Sequence, residues 1–328
     1  MTHASGDTAI PFVDAHIHLW DLARLRYPWL IPPFADDGPN GSVEAIASTY
    51  LPADYRREMA RWNVVGAVHV DAGADPVDAL AETEWLEGLA EADGLPTGIV
   101  AFAALDDPEV ETVLASHARH PRVRGIRHIV NWHADPQRSY TPRDVTQDDA
   151  WQRGFAALAR YGLSFDLQCY PGQMPAMAAL AARHPDVPVI VNHAGMAVLS
   201  DADGYGEWRR GLAALAACPQ VAVKLSGFGF ARRDWDAAFV RDTVRTIIDL
   251  FGPERAMFAS DLPTDRLFGS IDAQMEACHA AVIDLGDSDR RALFAGNANR
   301  IYRLGLDLPL TKDNHRCTTG PITRRIRT

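Results

Sequence analysis

Apolar, β-branched runs alternate with Ala-, Leu- and Arg-rich stretches along nearly the whole chain, and that alternation predicts a parallel sheet with helices between its strands. The runs fall at residues 12–19, 64–70, 97–105, 123–130, 164–169, 187–193, 221–226 and 256–261, which makes eight strands. The stretches between them, such as 78–92, 151–161, 175–184, 207–217 and 235–251, carry apolar residues at three- and four-residue spacing. Each therefore has one face able to cover the outside of a sheet. An open, doubly wound sheet would also alternate in this way. However, the GxGxxG signature is absent after the first strand, and eight strands suit closure, so the expected fold is a (β/α)8 TIM barrel.

Two regions depart from the repeating unit. Residues 21–50 hold Tyr27-Pro28-Trp29 and Ile31-Pro32-Pro33-Phe34. A connection of that length in a compact domain is usually functional, and this one is expected to cover the barrel mouth. Residues 311–328 contain five Lys or Arg, one Asp and few apolar side chains, and are expected to form a disordered tail after a barrel spanning 1–310.

Composition narrows the reading without naming an activity. The chain has 328 residues, 47% hydrophobic and 23% charged, which fits one large core. No apolar run reaches membrane-spanning length, and the first residues lack the basic start and apolar stretch of an export signal, so a cytoplasmic location is expected. The four cysteines, Cys169, Cys218, Cys278 and Cys317, form no CxxC pair. A disulfide framework and a thiolate zinc site are therefore not expected. A net charge of −11 disfavours nucleic-acid partners but leaves room for a locally basic pocket.

The chemistry begins at Asp14-Ala15-His16-Ile17-His18. Side chains on a strand alternate with period two, so Asp14, His16 and His18 are expected on one face, pointing into the barrel. An inward HxH is a chelating pair that needs a third ligand from elsewhere, although a pair of hydrogen-bonded core histidines would read the same way. Three other strand ends favour a site. His193 closes the sixth run, where the reactive end of such barrels lies. Asp261 closes the eighth run, and a buried carboxylate needs a cation or a donor to meet it. Arg127 on the fourth run, with Gln168 on the fifth and Lys224 on the seventh, suggests an anionic or polyhydroxylated ligand.

The segments DAHIHLWD, GIRHIVNW, GLSFDLQCYPGQM, VNHAGM, VKLSGFG and MFASDLPTDRLF, in this order over residues 11–304, resemble the amidohydrolase-related lactonase group of the amidohydrolase superfamily. The resemblance implies a (β/α)8 barrel whose members open lactones of sugar acids or of aromatic-degradation intermediates, some with one divalent metal and some without. It places metal ligands at His16, His18, His193 and Asp261. Superfamily members with two metals have Lys or Glu on the fourth strand and His on the fifth. Here those positions hold Arg127 and Gln168, so one ion at most is expected, with zinc first and a metal-free pocket the alternative. His69 and Asp71 are secondary ligand candidates, set against a structural role.

The expected reaction is water attack on a lactone carbonyl, with the cation or the first-strand imidazoles stabilising the oxyanion. Asp261, its pKa held low beside the cation, takes the water's proton, and His193 orients water or carbonyl. Arg127 and Arg266 are expected to hold a substrate carboxylate, Arg266 having a surface salt bridge as its equal alternative. Trp20 and Tyr170 are expected to line the pocket, with Trp29 and Trp132 at the mouth. Two other readings stay open: a single-zinc decarboxylase of the same superfamily, and a barrel that binds without catalysis.

Overall fold

The computed structural model describes residues 10–308. Eight parallel strands follow one another in sequence order around the sheet. They are β1 (Phe12–Ile17), β2 (Val64–Val70), β3 (Gly98–Phe102), β4 (Val123–Arg127), β5 (Ser164–Leu167), β6 (Val189–Val191), β7 (Val221–Leu225) and β8 (Ala256–Phe258). The ring closes between β1 and the segment after β8. Ile17 bridges Leu262 in parallel, His18 N donates to the Leu262 carbonyl at 2.7 Å, and Asp261 N donates to the His16 carbonyl at 2.9 Å. The TIM barrel expected from the alternation is the fold observed.

The helices between strands are α1 (Pro52–Glu58), α2 (Ala79–Asp93), α3 (Val110–His117), α4 (Asp149–Ala157), α5 (Met174–Arg183), α6 (Gly204–Ala216), α7 (Phe228–Ala231) and α8 (Ala237–Phe251). Helix α8 shows why such segments lie where they do. Val240, Val244, Ile247 and Phe251 recur at helical spacing and are buried, while the Asp236 carboxylate caps the helix by accepting from Phe239 N at 2.8 Å. Beyond β8, α9 (Ile271–Ala281), α10 (Asp287–Arg291) and α11 (Asn297–Ile301) complete the described chain. No helix among the described residues is long and apolar enough to cross a membrane. Cys169, Cys218 and Cys278 are buried free thiols.

Two hydrophobic layers follow from strand alternation. Outward residues such as Ile99, Phe165, Val189, Val223 and Phe258 pack under the helices. Inward Val13, Ala15, Val68, Val100, Ile190, Ala222 and Met257 fill the barrel with Tyr302. Most strands end before the runs that announced them, so His18, Gln168, His193 and Asp261 stand just beyond strand ends, on backbone that no longer obeys period two. The expectations for residues 311–328 lie outside the described residues.

Candidate active site at the barrel mouth

The placement of the HxH pair depends on an irregularity in β1. Register against β2 shifts between Asp14 and Ile17. Val13 and Ala15 face the barrel interior, and the shift lets His16 and His18 face it too. Asp14 does not share that face. Its carboxylate accepts from Ser260 N at 2.9 Å and from the Tyr55 hydroxyl of α1 at 2.9 Å, so it braces the β1–β8 closure instead. Burial pushes the Asp14 carboxyl up to about 6, against the pull of these donors.

His16, His18, His193 and Asp261, drawn from β1, β6 and β8, meet at one point. His16 Nε2 and His18 Nε2 are 3.2 Å apart, and they lie 3.5 and 3.3 Å from Asp261 Oδ1. His193 Nδ1 is 3.7 Å from Asp261 Oδ2. Both Asp261 oxygens are buried with no donor group to meet them, and the neighbouring buried carboxyl of Asp265 is itself pushed well above the carboxylate range by burial and by Asp261. Ligands about 2.0–2.1 Å from a tetrahedral ion stand about 3.4 Å from one another, the spacing of this triangle. The donor set and the orphaned carboxylate therefore suit one divalent ion. Three of the four, His16, His193 and Asp261, offer ligand atoms within 4.8 Å of one another.

Burial governs the protonation of the cluster. It drives His16 and His193 well below the usual imidazole range and His18 down to about 3, with nearby Lys224 and Arg127 acting in the same direction, so all three rings are neutral at pH 7. Burial also pushes the Asp261 carboxyl up to about 8, outweighing the opposite pull of Arg127 and Lys224. The low value expected beside a cation is thus not what the protein imposes by itself. Both cations carry their own counter-charges: Arg127 Nε lies 3.3 Å from Asp71 Oδ2, and Lys224 Nζ lies 2.6 Å from Asp166 Oδ1.

Above the cluster is a cavity of about 250 Å³ lined by His18, Trp29, Asn40, Ala72, Gly73, Arg127, Ile129, Tyr140, Gln168, His193, Phe230, Asp261 and Thr264. Arg127 also donates to the Asp71 carbonyl and, at 3.2 Å, to Gln168 Oε1, which turns the amide nitrogen of Gln168 toward other acceptors. Trp29 reaches the pocket from the long connection, anchored by its ring N–H on the Ala72 carbonyl at 2.8 Å. That connection is pinned at its base by paired hydrogen bonds between Trp20 and Tyr50. The β4–α4 connection supplies Tyr140, whose hydroxyl donates to Asn40 Oδ1 at 2.5 Å and joins the two loops over the site.

Several other residues picked out from the sequence stand apart from this cavity. Trp20 is fully buried beneath it, with its ring N–H on the Ser48 carbonyl at 2.6 Å and its rings packed on Trp29 and Tyr50. Tyr170 donates to the Arg138 carbonyl at 2.6 Å, bracing the β4–α4 connection from behind Tyr140. Lys224 lies inside the barrel under His16, at 3.2 Å from its Nδ1. Arg266 is half-exposed and pairs with Glu58 at 3.5 Å, a salt bridge on the surface. Trp132 is exposed and lies outside the lining. His69 accepts from Leu19 N through Nδ1, and Asp71 is taken by Arg127, so neither joins the histidine cluster. Asn40, Tyr140, Phe230 and Thr264 were not foreseen; the first two come from loops, and Phe230 and Thr264 from single helical turns after β7 and β8 that are too short for a periodic pattern to mark an inward side chain.

The amidohydrolase family profile matches residues 13–304. An uncharacterised protein of Sinorhizobium fredii, y4mH, is 41% identical over 299 residues, covering 90% of this chain and 99% of that one. The L-fucono-1,5-lactonase of Burkholderia ambifaria is 30% identical, covering 89% of this chain and 95% of that one. Among solved structures, an amidohydrolase from Burkholderia multivorans with bound zinc superposes with a TM-score of 0.74 at 29% identity, covering 89% of this chain and 99% of that chain.

Proposed function

The chain belongs to the amidohydrolase family, and we propose that it is a hydrolase of cyclic esters that opens a single-ring lactone of a sugar acid. The observation that carries this reading is the unpartnered carboxylate of Asp261, set between neutral His16, His18 and His193 on the floor of a small cavity. A buried carboxylate whose proton affinity is raised by desolvation, beside imidazoles able to polarise a carbonyl, is the equipment for adding water to an ester. Lactonase relatives support the same reaction class.

Asp261 accepts a proton from the attacking water as its oxygen bonds to the lactone carbonyl carbon. In the ion-free site the first-strand pair has one proton to offer the tetrahedral oxyanion, the Nε2–H of His16, because the Val70 carbonyl holds the His18 proton on Nδ1. On collapse the ring C–O bond breaks, and the Asp261 proton passes to the leaving alkoxide, giving an open hydroxy acid. His193, 3.4 Å from the Ser226 hydroxyl, is held where it orients the water. A single divalent ion, zinc by the donor set, would be held by His16, His18 and Asp261, whose donor atoms stand 3.2 to 3.5 Å apart, with His193 beside them, and would supply Lewis-acid polarisation of carbonyl and water.

The lining supports a polyhydroxylated ring over a dicarboxylate. Its one cation, Arg127, already faces Asp71, so a second carboxylate would find no charge partner. Asn40, Tyr140, Gln168 and Thr264 offer hydroxyl-scale hydrogen bonding, and Trp29 and Phe230 offer flat walls.

The test is a pH-indicator screen of aldonolactones and dicarboxylate lactones with metal-free and zinc-loaded protein. Proton release with aldonolactones is expected, and Asp261→Asn should lower turnover by about 10²- to 10⁴-fold with little change in KM. Carbon dioxide release from aromatic acids with no lactone opened would replace this reading by decarboxylation.

A further inference from the structure

The ring protons of the first-strand pair are set by what lies at the two ends of its hydrogen-bond chain. A carbonyl only accepts, so the 2.7 Å contact between His18 Nδ1 and the Val70 carbonyl puts the His18 proton on Nδ1 and leaves Nε2 a bare lone pair. That is the usual arrangement for a metal-binding histidine, whose second ring nitrogen donates to a carbonyl or carboxylate. His16 departs from it. Its Nδ1 faces Lys224 Nζ at 3.2 Å, a fully buried amine held 2.6 Å from Asp166 Oδ1. An ammonium only donates, so His16 Nδ1 accepts and its proton sits on Nε2. The 3.2 Å contact between the two Nε2 atoms is then an N–H of His16 given to the lone pair of His18. The chain from Lys224 through His16 and His18 to Val70 is satisfied with no ion. Binding an ion at both Nε2 atoms requires the His16 proton on Nδ1, where it meets the N–H groups of Lys224 donor to donor.

We infer that Lys224 is a positioning residue that, acting through the His16 ring, holds the site in an ion-free tautomer and weakens its hold on a divalent cation. The inference rests on reading His16, His18 and Asp261 as the ion's donors. The surroundings keep Lys224 aimed at His16. Asp166 Oδ1 also accepts from the Tyr302 hydroxyl at 2.8 Å, and the Tyr302 ring lies beside the ammonium, so Asp166 and Lys224 have little room to turn away. Arg127, the other buried cation, touches no ring nitrogen of the pair; it opposes an ion by charge alone, whereas Lys224 also fixes a proton.

Zinc is titrated into EDTA-stripped wild type, Lys224→Met and the double variant Lys224→Met with Asp166→Asn, against a chelating dye at neutral pH. The tautomer of His16 is read in the ion-free proteins from ¹⁵N chemical shifts. Wild type should show His16 protonated on Nε2, and both variants should bind zinc at least about tenfold more tightly, the size of effect that a partner of a ligating histidine exerts. The double variant carries the test if the single one misfolds with Asp166 left unpaired. Equal or weaker zinc affinity in the folded variants, or a wild-type His16 proton on Nδ1, overturns the role given to Lys224. His18→Ala separates this from the donor assignment. Loss of zinc binding in His18→Ala together with no tightening in Lys224→Met leaves the donors standing and removes Lys224, whereas zinc binding that survives His18→Ala overturns both.

Discussion

Asp261 occupies left-handed backbone, φ 58°, as do His193 at φ 52° and Gly227 at φ 63°. Asp and Asn tolerate this region better than most residues, which makes Asp261→Asn a replacement that changes the chemistry while sparing the backbone. The raised Asp261 pKa carries a signed stability prediction. Because burial raises the folded-state value above the ordinary 3.8, the native state holds the extra proton, and this contribution to stability is full below 3.8 and lost as pH rises through the raised value. Without metal, the thermal midpoint of Asp261→Asn should therefore gain on that of wild type as pH rises through this window; parallel curves would show that burial does not govern the carboxyl. Gly227 has a separate constraint, since a Cβ there would sit 2.6 Å from His193 Cβ. Gly227→Ala should push His193 aside, cutting turnover more than tenfold and lowering stability by about 1–3 kcal/mol through strain and overpacking. Unchanged turnover would remove His193 from the reaction.

At the scale of elements, two loops do what the strands cannot. The barrel rim presents His18, Arg127, His193 and Asp261, but the ceiling of the cavity comes from Trp29, Asn40 and Tyr140 on the β1–α1 and β4–α4 connections. Those connections touch through the Tyr140 hydroxyl and Asn40. Tyr140→Phe deletes that link and a pocket hydroxyl while leaving the ring, so KM should rise severalfold with a nearly unchanged melting temperature, as expected for a net hydrogen bond worth about 1 kcal/mol. A KM equal to wild type would show that the loops close without it. The long connection was recognisable as a cover from its length and aromatics, yet the inward course of Trp29 and the burial of Trp20 depend on which ring fits beneath the other. The expectation of one polar face for Asp14, His16 and His18 failed for a comparable reason, because a single register shift in β1 reverses the parity that period two requires.

For the whole molecule, an ion that binds only the folded chain must raise its stability by mass action. At a zinc concentration 100 times the dissociation constant the gain is about 2.7 kcal/mol, which raises the melting temperature by several degrees. The shift should be present in wild type, larger at equal zinc in Lys224→Met, and absent in His18→Ala; no shift in wild type at any zinc concentration would remove the metal from the site. The closed eight-stranded ring makes this coupling global, since His16 and Asp261 stand on the two sides of its seam, joined by the hydrogen bond from Asp261 N to the His16 carbonyl.

The order of apolar runs and helical stretches determined the barrel, because each strand and each helix advertises its buried side locally. The four clustered residues were legible for the same reason: His16, His18, His193 and Asp261 are polar side chains at the ends of apolar runs, where burial is costly unless a partner meets them. Their neighbours were decided only by tertiary structure. Whether a cation such as Lys224 or Arg127 faces substrate or supports a ligand from below depends on how deep its strand position lies in the barrel, and depth follows from register between strands far apart in sequence. Arg266 meets Glu58 across some two hundred residues, and Asn40 meets Tyr140 across a hundred, contacts that no local pattern encodes. The protonation of the centre belongs to the same class, since it is burial among groups gathered from five strands, rather than residue type, that raises Asp261 and keeps the histidines neutral.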